Sequence, residues 1–201
     1  MPYLLRGRAF CLAAVLLAVL PASAQRGAVV ISRNLAQLTG QAETIVVAHV
    51  AFATVEPHPQ YRNLNTVVVT LRVSETLKGV PQDTLTFRQF IWDPRDIADH
   101  AAYHRGDEVL LLLNRVNEYE LTSPAGLNQG RFEVRRDETG RGYVMNGHGN
   151  QGLFDGMTEK TKALTARTRA FVEHAPVQGP LALDDLRQTI RELLTSQAGV
   201  Q

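Results

Sequence analysis

The chain has 201 residues, 21 Lys and Arg against 20 Asp and Glu, and one cysteine, Cys11. That length suits one domain with a core of its own. The near-zero charge balance offers no basic field for nucleic acid or for an anionic membrane surface.

Residues 1–24 read as a cleavable secretory signal. Arg6 and Arg8 precede an apolar run from Ala9 to Leu20, Pro21 breaks the run, and Ala22-Ser23-Ala24 supplies a small-x-small cleavage site. The run is shorter than the roughly 20 apolar residues of a membrane span. Gly7 separates the two arginines, which excludes a twin-arginine signal. Cys11 lies at the front of the run, where lipid attachment would leave the rest of the run on the processed chain. Cleavage near Ala24 leaves 177 residues, with 19 Lys and Arg against 20 Asp and Glu and no cysteine. Such a chain forms no disulfide and has no thiol nucleophile and no thiolate for a metal. The expected location is periplasmic or secreted, with no stable membrane insertion after cleavage.

Beyond the signal, Ser32 to Leu38 has helical character, with Ser32 as N-cap and Gly40 as stop. Thr44 to Phe52 is β-branched and apolar on both faces, and Pro57 and Pro59 end it. Asn65 to Thr76 alternates, with Val67, Val69, Leu71 and Val73 on one face. A turn around Gly79 leads to a third strand, Thr84 to Phe90. Asp93 to Gly106 is polar with room for a short helix. Glu108 to Asn114 reads as a fully buried strand, and Glu118 to Thr122 as its hairpin partner across Asn117. Arg131–Arg135 and Gly142–Met145 flank the turn Asp137-Glu138-Thr139-Gly140. About seven short strands result. Residues 147–156, rich in Gly and Asn, read as a flexible linker. Thr158 to His174 and Leu183 to Thr195 read as helices, the second with an apolar stripe at Leu186, Ile190 and Leu193 or Leu194.

Four of these stretches resemble a known pattern when taken in order. They are Ala42 to Val50, Thr70 to Gly79 ending in Leu77-Lys78-Gly79, Gly106 to Leu113, and Gly126 to Val134. The order is similar to that of a poorly characterised group of exported bacterial β-barrel domains, with Ala48 where the group usually has Gly. The resemblance covers residues 35–135. It implies a small closed or partly open barrel of OB type, similar in outline to metalloproteinase-inhibitor barrels, and it implies no catalytic residues. The expected fold is thus mainly β: an OB-like barrel over residues 25–146, with a short N-terminal helix and a helical segment at 157–201.

Catalytic constellations are not legible. There is no Gly-x-Ser-x-Gly turn, no His-Glu-x-x-His and no phosphate loop. The strongest metal candidate is Asp96, His100 and His104. On a helix these three share a face, and the imidazoles would hold a cation such as zinc with a further ligand from His58 or His148. In an extended chain the two imidazoles stand about 13 Å apart and do not. The binding candidates are Trp92, Phe90 and Arg95. They lie where a strand end meets a polar stretch, and they read either as core or as an aromatic anchor at a barrel mouth. The expected function is a non-enzymatic exported domain that binds a protein or peptide partner in the cell envelope or outside. A metal-dependent binder or enzyme using Asp96–His104 is the first alternative. The second is a structural element of an envelope assembly, with the C-terminal helices as its arm.

Overall fold

The computed structural model describes residues 31–198. The expected signal segment and Cys11 lie outside these residues. No helix among the described residues is long and apolar enough to cross a membrane.

Helix α1 (Leu35–Gln41) opens the described chain, and its N-cap is Asn34 rather than Ser32. The Asn34 side chain accepts from the Gln37 amide, and the Gln37 side chain accepts from the Asn34 amide, so each meets a donor that the first turn leaves unpaired. Gly40 continues the helix, and the cap falls at Ala42. The strands are β1 (Thr44–Pro57), β2 (Asn65–Lys78), β3 (Thr84–Phe90), β4 (Glu108–Leu113), β5 (Arg131–Arg136), β6 (Gly142–Asn146) and β7 (Leu181–Ala182). They form one antiparallel sheet in the order β3-β2-β1-β4-β5-β6-β7. The mainly β class is as expected. The sheet is open, however, with β3 and β7 at its two ends, so it is not the closed form of the expected barrel.

The count of seven strands hides an exchange of members. Glu118 to Thr122 is not a strand, and the short β7 takes its place in the tally. The reason is occupancy: β4 lies between β1 and β5, and both its edges are already paired. The 118–122 segment instead forms a turn organised by Asn117, whose Oδ1 accepts from the amides of Tyr119 and Leu121.

Alternation sorts the two faces of the sheet. Ile45, Val47, Leu110, Leu112, Phe132 and Val144 face the helices, while Val46, Ala48, Val50, Val69, Leu71, Val109 and Leu111 face a second core. The β1–β2 ladder skips Leu77, Ser74 and Ala51 in turn, which gives three register shifts. Such bulges bend and twist a sheet. Here β3 comes round so that Phe87 joins the same core as Leu111 and Leu113 of β4.

Thr158 to His174 is two helices, α2 (Thr158–Thr161) and α3 (Ala166–His174), because Thr165 starts a new one. The Thr165 side chain accepts from the Thr168 amide, and the Glu192 carboxylate accepts from the Thr165 amide. Helix α4 (Leu183–Ala198) buries Leu186, Ile190 and Leu193 in the core on the helical side of the sheet. Its apolar stripe is therefore spent on its own sheet. Residues 147–156, expected as a flexible linker, are hydrogen-bonded turns. Asn150 donates to the carbonyls of Val144 and Gly179, and Leu153 lies in the core.

Candidate functional site

The site forms where β3 runs out. The Ile91 amide donates to the Asn65 carbonyl at 3.0 Å, which holds one more residue in strand register and turns Ile91 into the core. Alternation then leaves Trp92 outside, with 77% of its surface exposed. Its ring meets that of Phe90 edge to face, with centroids 4.9 Å apart. Asp93 and Pro94 next start a 3-10 turn, Pro94–Ile97, in which the Asp93 carboxylate accepts from the Arg95 amide.

Trp92 and Phe90 form one wall of a groove of about 470 Å³, and Leu64, Asn114, Arg115, Asn117, Leu121, Thr122 and Ser123 complete it. Its size falls in the range of small-molecule and side-chain pockets. The opposite wall is fixed by hydrogen bonds. Besides the Asn117 turn, the Asn114 side chain donates to Ser123 and to the Pro124 carbonyl. The Thr122 amide donates to the Arg88 carbonyl of β3 at 2.9 Å. That bond fastens the groove's two walls together.

His58 ties a third segment to this wall. It is 2% exposed. Its Nδ1 accepts from the amides of Gln60 and Tyr61, so the ring proton sits on Nε2 and is donated to the Tyr119 carbonyl at 2.9 Å. Tyr61 and Tyr119 stack edge to face beside it. His58 is thus a structural tether rather than a metal ligand.

Of the residues expected to bind, the structure brings Trp92 and Phe90 together and leaves Arg95 off the groove. The Arg95 guanidinium is folded back onto the Asp93 carboxylate. The expected shared face of Asp96, His100 and His104 is not formed. The 3-10 turn ends at Ile97, and His100, Ala101 and Ala102 all adopt left-handed backbone angles, with φ of 50°, 52° and 63°. Nε2 of His104 meets Asp99 at 2.8 Å, and its Nδ1 meets Asp107 at 3.2 Å. These bonds, Asp99 first, raise the His104 pKa above its ordinary value. Among the described residues, no group of three or more His, Cys, Asp and Glu is placed to hold a metal.

The left-handed turn has its own clamp. Arg131 of β5 donates to the carbonyls of Ala101 and Ala102, and its guanidinium lies 4.5 Å from the centre of the Tyr103 ring. Tyr103 is buried against Phe87, and burial pushes its phenol up to about 12 against the opposing charge of Arg131. The segment from Ile91 to Tyr103 is therefore a strap, sunk into the core at both ends, with Trp92 on its outer side.

A serine, a histidine and a glutamate line up across three strands, at spacings longer than those of a tight relay. The Ser74 hydroxyl is 3.5 Å from His49 Nδ1, and His49 Nε2 is 4.0 Å from Glu108. A nucleophile and its base need about 2.6–3.2 Å. The Glu108 carboxylate is already held by two Arg136 nitrogens, at 2.6 and 2.8 Å.

Sequence reasoning did not single out Arg115 or Arg131, and it read His58 only as a further metal ligand, not as a tether. The contacts of His58 and Arg131 join residues 61 and 29 positions apart, and no local pattern encodes them. No protein-family model, no curated protein and no solved structure matches the chain.

Proposed function

We propose that this is an exported, non-enzymatic domain that binds a protein or peptide partner in the cell envelope or outside it, through the groove at the end of β3. The observation that carries this reading is Trp92: a large aromatic side chain, 77% exposed, backed by Phe90 on a groove whose facing wall is held by hydrogen bonds. Exposed aromatics beside arginine on a preformed surface are the usual composition of a binding hot spot. Export rests on the signal-like residues 1–24. The curl of β3-β2-β1-β4 supports a partly open, OB-like barrel, in line with the sequence resemblance.

The test uses the chain expressed with its own leader, as bait for an envelope fraction read by mass spectrometry. Trp92→Ala is expected to lose the captured partner. Val177→Ala, which trims an exposed apolar side chain outside the groove, is expected to keep it. Equal recovery by both variants would refute the groove as the binding surface.

A further inference from the structure

The groove has a charge character that narrows its ligand. Among its lining residues, Leu64, Phe90, Trp92 and Leu121 are apolar, Arg115 carries the single charge, and no acidic side chain lines it. The arginines near this end of the sheet differ in their partners. Arg88 is paired with Glu56 at 2.6 Å, and Arg95 is folded onto Asp93. Arg115 has no carboxylate partner among the described residues. Its backbone is nonetheless fixed, because the neighbouring Asn114 is hydrogen-bonded on both sides: its amide group to Ser123 and Pro124, and its oxygen to the Gln41 side chain. An arginine on a held backbone, with its fork of donors free of carboxylates among the described residues and an aromatic platform on the same groove, is a receptor for a carboxylate that follows or precedes an apolar side chain.

We propose that the groove takes an extended peptide segment in which an acidic residue is flanked by aromatic or aliphatic ones. The acidic side chain meets the Arg115 guanidinium, and an apolar neighbour lies on Trp92 between Leu64 and Leu121. This rests on the peptide-binding reading above and adds the chemistry of the bound segment. Backbone groups and apolar side chains supply contact area, while the ion pair supplies selectivity and salt dependence.

Trp92 is the single tryptophan of the chain, so its fluorescence reports this groove and nothing else. The probes are N-acetyl-Phe-Glu-Phe-amide and its uncharged counterpart N-acetyl-Phe-Gln-Phe-amide, titrated into the full protein with excitation selective for tryptophan. The expected result is a saturable change in Trp92 emission, with the Glu peptide bound roughly ten-fold more tightly than the Gln peptide at low salt. Arg115→Gln is expected to abolish that preference, and Arg95→Gln to leave it. Both positions are exposed, and circular dichroism confirms that the variants fold. Equal affinity for the two peptides, or a preference that survives Arg115→Gln, would overturn the acidic selectivity while leaving peptide binding in place. If neither peptide perturbs Trp92 although Trp92-dependent capture succeeds, the acidic-peptide assignment fails and the binding surface stands. Two further outcomes overturn the assignment in favour of a different occupant: a protein dimer that Trp92→Ala dissociates, or an emission change produced by neutral oligosaccharides as strongly as by the Glu peptide.

Discussion

Arg131→Met isolates the clamp on the strap that carries Trp92. Three consecutive left-handed residues without glycine cost about 1–2 kcal/mol each, so the turn His100–Ala102 persists only because its surroundings hold it. Arg131 gives one close charge-assisted bond to the Ala102 carbonyl, a longer one of 3.5 Å to Ala101, and the stack on Tyr103. The close bond is worth about 1.5–3 kcal/mol, and the stack on a buried ring about 1 kcal/mol. Against this, the Arg131 Nε is buried without a partner, and methionine, which keeps the apolar stem, relieves that penalty of about 1 kcal/mol. The expected loss is about 2 kcal/mol. Urea unfolding followed by far-ultraviolet circular dichroism measures it. Trp92 emission is the wrong reporter, because that ring is already 77% exposed in the folded state. Replacing Ala101 and Ala102 by Gly removes the steric penalty for the left-handed backbone. These replacements should therefore recover part of the stability that Arg131→Met loses, and a double-mutant cycle reads any coupling between the clamp and the turn. An Arg131→Met variant within about 0.5 kcal/mol of the parent, the usual range of an uninvolved surface change, would refute the clamp.

Other consequences follow from single contacts. Gly130→Ala places a Cβ 2.6 Å from the Ala125 carbonyl oxygen and 2.8 Å from the Ala125 nitrogen. Both are backbone atoms that cannot rotate away, so a loss of about 2 kcal/mol is expected in urea unfolding, and an unchanged midpoint would contradict it. His104 should titrate by NMR above its ordinary value, and Asp99→Asn should bring it down. A raised folded-state pKa means that the stabilisation is fully present below the unfolded value and fades as pH rises through the folded one. The exposed ring keeps that effect small, and a midpoint unaffected by Asp99→Asn would rule out the pairing. His58→Phe removes the acceptor for two amides and the donor to Tyr119, so amide exchange at Gln60 and Tyr61 should accelerate. Unchanged protection there would show that the tether is not formed. Ile190→Ala should cost about 2–5 kcal/mol by opening a cavity under α4, and a calorimetric midpoint equal to the parent's would place that stripe elsewhere.

The sequence reveals most where one residue type repeats with a fixed period. Val67, Val69 and Leu71 alternate into the core as their spacing predicts, and β3 begins and ends at Thr84 and Phe90 as read. The turn at Asp137–Gly140 is equally local, because the Asp137 carboxylate accepts from the Thr139 and Arg141 amides within the turn itself. Failures come where the outcome depends on a distant partner. Whether Glu118–Thr122 becomes a strand is decided by the two neighbours of β4, not by its own alternation. The histidine spacing around His100 suggested a helical face, but Arg131, far along the chain, stabilises a turn of the opposite hand. Trp92 and Phe90 were legible as an aromatic pair at a strand end. Arg95 lost its place because Asp93, two residues away, captured it, and Arg115 entered because the chain turns at Asn117 without the predicted strand pairing that would have followed.

The location of the groove follows from the way the sheet stops short of closing. Bulges at Leu77, Ser74 and Ala51 bend β1 and β2 until β3 approaches β4 across their shared core. Between β3 and β4 no ladder forms. The chain after β4 bridges the gap instead: on β4, Leu113 lies opposite Pro124 and the Leu112 carbonyl accepts from the Ala125 amide, and on β3 the Arg88 carbonyl accepts from the Thr122 amide. An edge strand left bare is an aggregation hazard, and covering it with a loop is a common remedy. A loop also varies in side chain without disturbing a ladder. The seam therefore does two things at once: it blunts the β3 edge near Arg88, and it sets Arg115 and Leu121 opposite Trp92. Full strand pairing here would have closed the curl and left no groove, so the groove is a consequence of incomplete closure.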